Sequence, residues 1–176
     1  MTPFDLPIWI VLTFLFLFGC CIGSFLNVCV YRFPQHDSLF DQLKGINFPP
    51  SCCPKCQQRI SPRDNIPILG WLMLRGKCRN CGMSISSRYP IIEFVNGALF
   101  VILYLLEVPT GYRETIEDSF LYTPLGPQMV EGWSVELHVN LRYLYHLVLI
   151  EALLVASLID WDLKIIPDGS TVPAMF

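Results

Sequence analysis

The sequence predicts an all-α polytopic membrane protein carrying one small cysteine-rich, β-containing insertion. Three observations predict it. Only 15% of the 176 residues are Asp, Glu, Lys or Arg, against roughly a quarter in ordinary soluble domains. Those charges leave three long apolar stretches almost untouched. Between the first two stretches, two C-x-x-C pairs stand 21 residues apart in a basic segment. A one-core globular protein does not match this pattern, because core helices seldom exceed ~14 consecutive apolar residues.

The first stretch runs from Pro7 to Tyr31 without a charged residue. A helix needs about 20 residues, at 1.5 Å rise each, to cross roughly 30 Å of hydrocarbon, so this one is long enough. A cleaved secretory signal begins with positive charge. Here Asp5 precedes the stretch and no Lys or Arg does, which favours a retained helix. Gly19, Gly23 and Asn27 recur at i+4 and share one helical stripe. Small residues in that spacing let a second helix approach closely, and the amide supplies an interhelical hydrogen bond. Cys20, Cys21 and Cys29 act here as small apolar residues.

The second stretch is Ile91 to Leu106, with Glu93 near one end; the third is Leu141 to Ile159, with Glu151 inside it. An acid at membrane depth is costly and by default faces a bundle interior or cavity. His146 reads as a bundle histidine satisfied by its neighbours, and Tyr143 and Tyr145 as interface anchors.

Orientation follows from charge. Nine of the twelve Lys and Arg lie between Arg32 and Arg88, whereas the 107–140 segment carries Glu107, Glu114, Glu117, Asp118, Glu131 and Glu136 against Arg113 alone. The positive-inside rule then puts the basic loop in the cytoplasm and the acidic loop outside. The third helix returns inward, so Ile159-Asp160 meets the cytoplasmic face. The expected organisation is a first transmembrane helix over 1–32, a cytoplasmic tetracysteine domain over 33–89, and further helices with the acidic outer loop over 90–176.

Within the basic loop, Cys53-Pro54-Lys55-Cys56 and Cys78-Arg79-Asn80-Cys81 are two turns that can each wrap one metal. Four thiolates complete the tetrahedral shell of structural Zn²⁺, and a closed shell leaves no catalytic position. The predicted fold of the insertion is therefore a small zinc-ribbon-like unit with Cys53, Cys56, Cys78 and Cys81 as ligands. Cys52 adjoins Cys53 as an alternative ligand. Two disulfides are the competing reading, disfavoured in a reducing cytoplasm. The basic residues already satisfy the topology rule, so no nucleic-acid partner is assigned.

Asp160 stands where the third apolar helix emerges, in the run Ser157 to Asp168, and Pro167-Asp168-Gly169 then turns the chain. A carboxylate at such a boundary can be partly desolvated and exchange a proton near neutrality. Interface solvation by Asp160, Asp162 and Asp168 accounts for the same residues equally well.

Six ordered motifs carry a resemblance. Gly23-Ser24-Phe25-Leu26-Asn27-Val28 with Tyr31-Arg32-Phe33-Pro34 comes first, then Cys53-Pro54-Lys55-Cys56 and Asp64-Asn65-Ile66-Pro67. Arg75-Gly76-Lys77-Cys78-Arg79-Asn80-Cys81 follows, then Ser87-Arg88-Tyr89-Pro90 leading into Glu93, and finally Ser157 through Asp168. Together they resemble the type IV prepilin peptidases, the leader peptidases and N-methyltransferases of type IV pili and type II secretion. The resemblance implies a multi-pass protein of the bacterial inner membrane, acting on prepilin or pseudopilin substrates. It implies an aspartic endopeptidase with Asp160 as first catalytic aspartate, a structural zinc on the four cysteines, and S-adenosylmethionine as methyl donor.

One departure qualifies it. The family's second aspartate lies in a G-x-G-D motif, and none occurs in these residues. With one carboxylate the acid–base pair is incomplete, so the chain alone is expected to lack peptidase activity. A fragment, a split enzyme completed by a second chain, and a degenerate protein are the three readings, in that order. A non-catalytic, membrane-tethered zinc-binding scaffold is the alternative function.

Overall fold

The structure is a computed structural model that describes residues 6–35, 50–108, 129–130 and 133–163. Three long helices dominate it: α1 (Ile8–Arg32), α3 (Arg88–Glu107) and α4 (Val135–Leu163). A short helix, α2 (Leu69–Met73), lies in the insertion between α1 and α3. The spans Ile8–Gln35, Arg88–Glu107 and Val139–Leu163 are each long and apolar enough to cross a membrane. This is the geometry of a multi-pass membrane protein. Helices α3 and α4 reach beyond their apolar stretches. Arg88 and Tyr89 begin α3, and α4 continues through Asp160 to Leu163, because polar residues in a helix end can reach water without breaking the backbone ladder.

Helices α1 and α3 meet along the small-residue stripe. A Cβ on Gly19 would lie 2.8 Å from the Gly97 Cα, and one on Gly23 would lie 2.9 Å from the Glu93 Cα. In lipid, association rests on such close packing and on polar contacts. Asn96, fully buried, adds one by donating from Nδ2 to the Gly19 carbonyl at 2.9 Å. Asn27 donates more weakly to the Tyr89 carbonyl at 3.4 Å.

Helix α4 closes the bundle at both ends. At one end Val155 and Ile159 pack on Leu26, Cys29 and Phe33. At the other, Val139 packs on Tyr104 and Val108, with Val11, Leu12 and Leu15 beside them. Glu107 there pairs with Arg142 at 3.3 Å and with His146 Nδ1, so His146 is a bundle histidine satisfied by a neighbour. The Tyr143 hydroxyl donates to the Phe100 carbonyl at 3.1 Å and its ring meets Tyr104 edge-on. Glu151 faces the interior, its carboxylate oxygens buried beside Asn96.

The β-containing zinc ribbon expected of the insertion does not form. Among its described residues there is no strand, only the isolated bridges Cys52–Arg59 and Lys77–Ser84. Its regular elements are a 3-10 turn at Pro62–Asn65 and helix α2. The reason lies in the linking residues. Pro54, Pro62 and Pro67 remove backbone donors from any ladder, and turn and helix consume the interval between the cysteine pairs. The two-residue strands β1 (Met129–Val130) and β2 (Trp133–Ser134) pair as a hairpin just before α4, outside the insertion. Most of the acidic 107–140 loop, with the Pro167-Asp168 turn, lies outside the described residues.

Candidate functional site

The two cysteine pairs fold as near-copies of one turn. In the first, Cys53 N–H donates to the Gln58 carbonyl at 3.0 Å and Gln57 N–H donates back to the Cys53 carbonyl at 2.8 Å. In the second, Cys78 N–H donates to the Met83 carbonyl at 2.8 Å and Gly82 N–H to the Cys78 carbonyl at 3.0 Å. The residue after each second cysteine takes a positive φ, 56° at Gln57 and 68° at Gly82. Glycine adopts that region without strain and glutamine does not, so only the second turn has the residue its backbone prefers.

Each turn aims backbone N–H groups at its first sulfur. Hydrogen bonds from the Cys56 and Lys55 amides pull the Cys53 thiol down to about 6, and those from Cys81 and Asn80 lower Cys78. Cys56 moves the other way. The Gln58 amide draws it down, but burial and the neighbouring sulfurs outweigh that and push it up to about 11. Four sulfurs this close cannot all hold negative charge without a cation among them.

The cation geometry fits. The four sulfur atoms of Cys53, Cys56, Cys78 and Cys81 lie within 4.8 Å of one another. The Cys53–Cys81 and Cys56–Cys78 separations are 3.7 and 4.0 Å, and a tetrahedral Zn–S bond of about 2.3 Å implies edges of roughly 3.8 Å. The cluster is therefore able to coordinate a metal ion. Cys52 stands apart, its thiol turned to the Gln57 side-chain oxygen at 3.6 Å, so of the adjacent pair it is Cys53 that joins the cluster.

Two contacts brace the lobe that the sequence did not signal. Arg79, inside the second turn, makes a two-pronged ion pair with Asp64 at 2.8 and 2.6 Å, and the guanidinium holds that carboxyl below its ordinary range. Trp71 donates from Nε1 to the Ile85 carbonyl at 3.0 Å. The residue types were visible, but spacings of 15 and 14 residues follow no local period that would have paired them.

The lobe docks on one end of the bundle. Ile68 N–H donates to Glu93 Oε2 at 2.6 Å, so the acid noted near the start of the second apolar stretch reaches back into the insertion. Arg88, where the lobe enters α3, pairs with Asp162 at the end of α4 at 2.5 Å. Asp160 lies at this same end, between Ile159, which is 0% exposed, and Trp161, which is 80% exposed. It carries no hydrogen bond or ion pair among the described residues. Asp162, about 200° further round the helix, is committed to Arg88. Asp168 lies outside the described residues.

The family described as the bacterial peptidase A24 N-terminal domain matches residues 17–106. A prepilin leader peptidase/N-methyltransferase of Klebsiella pneumoniae is 38% identical over 93% of this chain and 58% of its own length. The corresponding protein of Neisseria gonorrhoeae is 33% identical over 100% of this chain and 55% of its own length. That of Myxococcus xanthus is 36% identical over 92% of this chain and 37% of its own. The chain thus spans between about a third and three fifths of these curated relatives. No solved structure matches.

Proposed function

The chain belongs to the family of prepilin leader peptidases/N-methyltransferases, and from that premise we propose that it supplies one carboxylate of an aspartic peptidase site and the metal lobe beside it. The proposed substrate is a type IV prepilin or pseudopilin whose leader is cut at the cytoplasmic face of the bacterial inner membrane. The observation that carries the reading is Asp160: a carboxylate without a side-chain partner among the described residues, at the bundle end where the four-thiol lobe sits, while its neighbour Asp162 is paired with Arg88.

In such chemistry two carboxylates divide the work. One takes a proton from water as the oxygen attacks the scissile carbonyl; the other, protonated, donates to the carbonyl oxygen. The tetrahedral intermediate then collapses, and the proton passes to the leaving amine. Asp160 is one member. The other belongs to a G-x-G-D motif that these residues do not contain, so cleavage requires a segment or chain that supplies it.

The metal proposed for the lobe is zinc, held by Cys53, Cys56, Cys78 and Cys81. A full thiolate shell gives it a folding role and no open position for substrate. Its loop is cytoplasmic in this reading because nine of the twelve Lys and Arg lie between Arg32 and Arg88. S-adenosylmethionine comes to the proposal through the family alone.

The test combines this chain, in membranes, with a segment carrying G-x-G-D and follows prepilin cleavage. Asp160→Asn is expected to lower the rate by roughly 10²–10⁴-fold, the usual weight of a positioned acid–base group. Asp162→Asn is expected to cost far less. Cleavage that persists in Asp160→Asn removes the catalytic role.

A further inference from the structure

The metal lobe carries an apolar face that neither its sulfurs nor the bundle covers. Helix α2 sets Leu69, Leu72 and Met73 at i, i+3 and i+4, one face of a helix. All three are more than half exposed, and Ile66, just ahead of them, is exposed as well. The other side of α2 is fixed inward. Gly70 sits so tightly on the Asp64 carbonyl that a Cβ would overlap it, and the Trp71 ring lies against Gly76, where a Cβ would come within 2.8 Å of it. The outward direction of the apolar face is therefore set by packing.

Its height follows from Glu93. The Ile68 N–H, at the entry to α2, is bonded to that carboxylate. Glu93 stands five residues into the membrane-crossing helix α3, about 7.5 Å along the axis, with a side chain that leans back toward the N-terminus. Helix α2 thus starts level with the first turns of α3, where Tyr89, Ile91 and Phe94 are also exposed. Ile68 holds a φ of 61°, a rare conformation for a β-branched residue, and the Glu93 bond fastens it there. In the segments that flank α2 in the chain, Arg63, Arg75 and Lys77 are exposed.

We propose that α2 is an interfacial membrane anchor. Leu69, Leu72 and Met73, with Ile66, enter the acyl boundary of the leaflet in which α3 begins, and Arg63, Arg75 and Lys77 meet its anionic headgroups. Lipid suits the face better than a protein does. Four side chains are too few for a stable protein interface, whereas an apolar helical face flanked by cations at headgroup level is what an anionic leaflet takes up. The anchor gives the lobe a second hold on the bilayer beside the Glu93 contact. It operates whichever side of the membrane the lobe occupies, and so stands apart from the peptidase reading.

The test places the photoreactive residue p-benzoylphenylalanine at Leu72, or at Gln58 in the first cysteine turn, with the full chain in nanodiscs containing phosphatidylglycerol. After irradiation, mass spectrometry should find phospholipid adducts at position 72 and none at position 58. Photo-leucine incorporated at the native leucines, a nearly isosteric change that spares the fold, should give lipid adducts on the peptide holding Leu69 and Leu72, as on peptides from α1. Adducts at 72 only to protein, whether a second copy or another chain, would overturn the anchor. So would the absence of lipid adducts from the Leu69–Leu72 peptide in the photo-leucine sample.

Discussion

The lobe and the bundle are held together by opposite means. The bundle is held by helix packing. Its helices satisfy their own backbones and meet through Gly19, Gly23 and Gly97, with Asn96 bonded across the contact. The lobe has scarcely a core: among residues 50–87 only Cys53, Gly70 and Gly76 are buried. Its order rests on two cysteine turns, one ion pair and one indole hydrogen bond. Where apolar burial is this slight, a metal held by the four sulfurs would supply folding free energy that packing cannot. The comparison predicts that the lobe can lose its order while the bundle keeps its own.

The largest effect should come from taking away the metal. Structural zinc contributes roughly 10–16 kcal/mol of apparent binding free energy in small domains. Chelation, or Cys78→Ser, should therefore collapse amide protection across 50–87 while circular dichroism of the helices changes little. Hydrogen exchange checks both at once. Bundle helices that melted along with the lobe would break the comparison.

Next in size is the helix contact. A side chain at Gly97 would place its Cβ 2.7 Å from the Cys20 sulfur and 2.8 Å from the Phe16 carbonyl oxygen, and backbone cannot step aside cheaply. Gly97→Val should destabilise the bundle by about 1–3 kcal/mol in a detergent unfolding titration. Metal content should stay unchanged, which sharpens the division between the regions.

The smallest effect belongs to the Asp64–Arg79 pair. Asp64→Asn should shift metal release from the lobe slightly and leave the bundle as it was. The Arg79 guanidinium holds the Asp64 carboxyl below its ordinary 3.8, so the pair's contribution is complete above that value and is lost as pH falls through the lowered one. The difference between wild type and variant should accordingly be flat from about pH 6 to 8, as a competition with a chelator followed across that range would register.

The sequence made the three spans, the Gly19–Gly23 stripe and the four sulfurs readable, because each follows a period or a spacing fixed by local geometry. Helical rise sets the span length, and a C-x-x-C turn sets its own sulfurs. The insertion's interior did not follow. A ribbon was the natural expectation from two cysteine pairs, yet the prolines at 54, 62 and 67 left single bridges in place of strands. Helix α2, five residues long, is too short to show an apolar period. The contacts of Glu93 with Ile68 and of Arg88 with Asp162 join residues 25 and 74 positions apart. Only the assembled bundle brings them together, and they set the lobe at the end of the bundle where Asp160 lies.

Sided thiol labelling tests the central claim most directly: that a metal held by four thiolates lies on the cytoplasmic side, at the Asp160 end of the bundle. A membrane-impermeant maleimide should label Cys52 in inside-out vesicles at once, and Cys53, Cys56, Cys78 and Cys81 only after chelation, with none of the five reacting in intact spheroplasts. Labelling of these cysteines from the outer face, or four that react only after a reductant, would contradict the account.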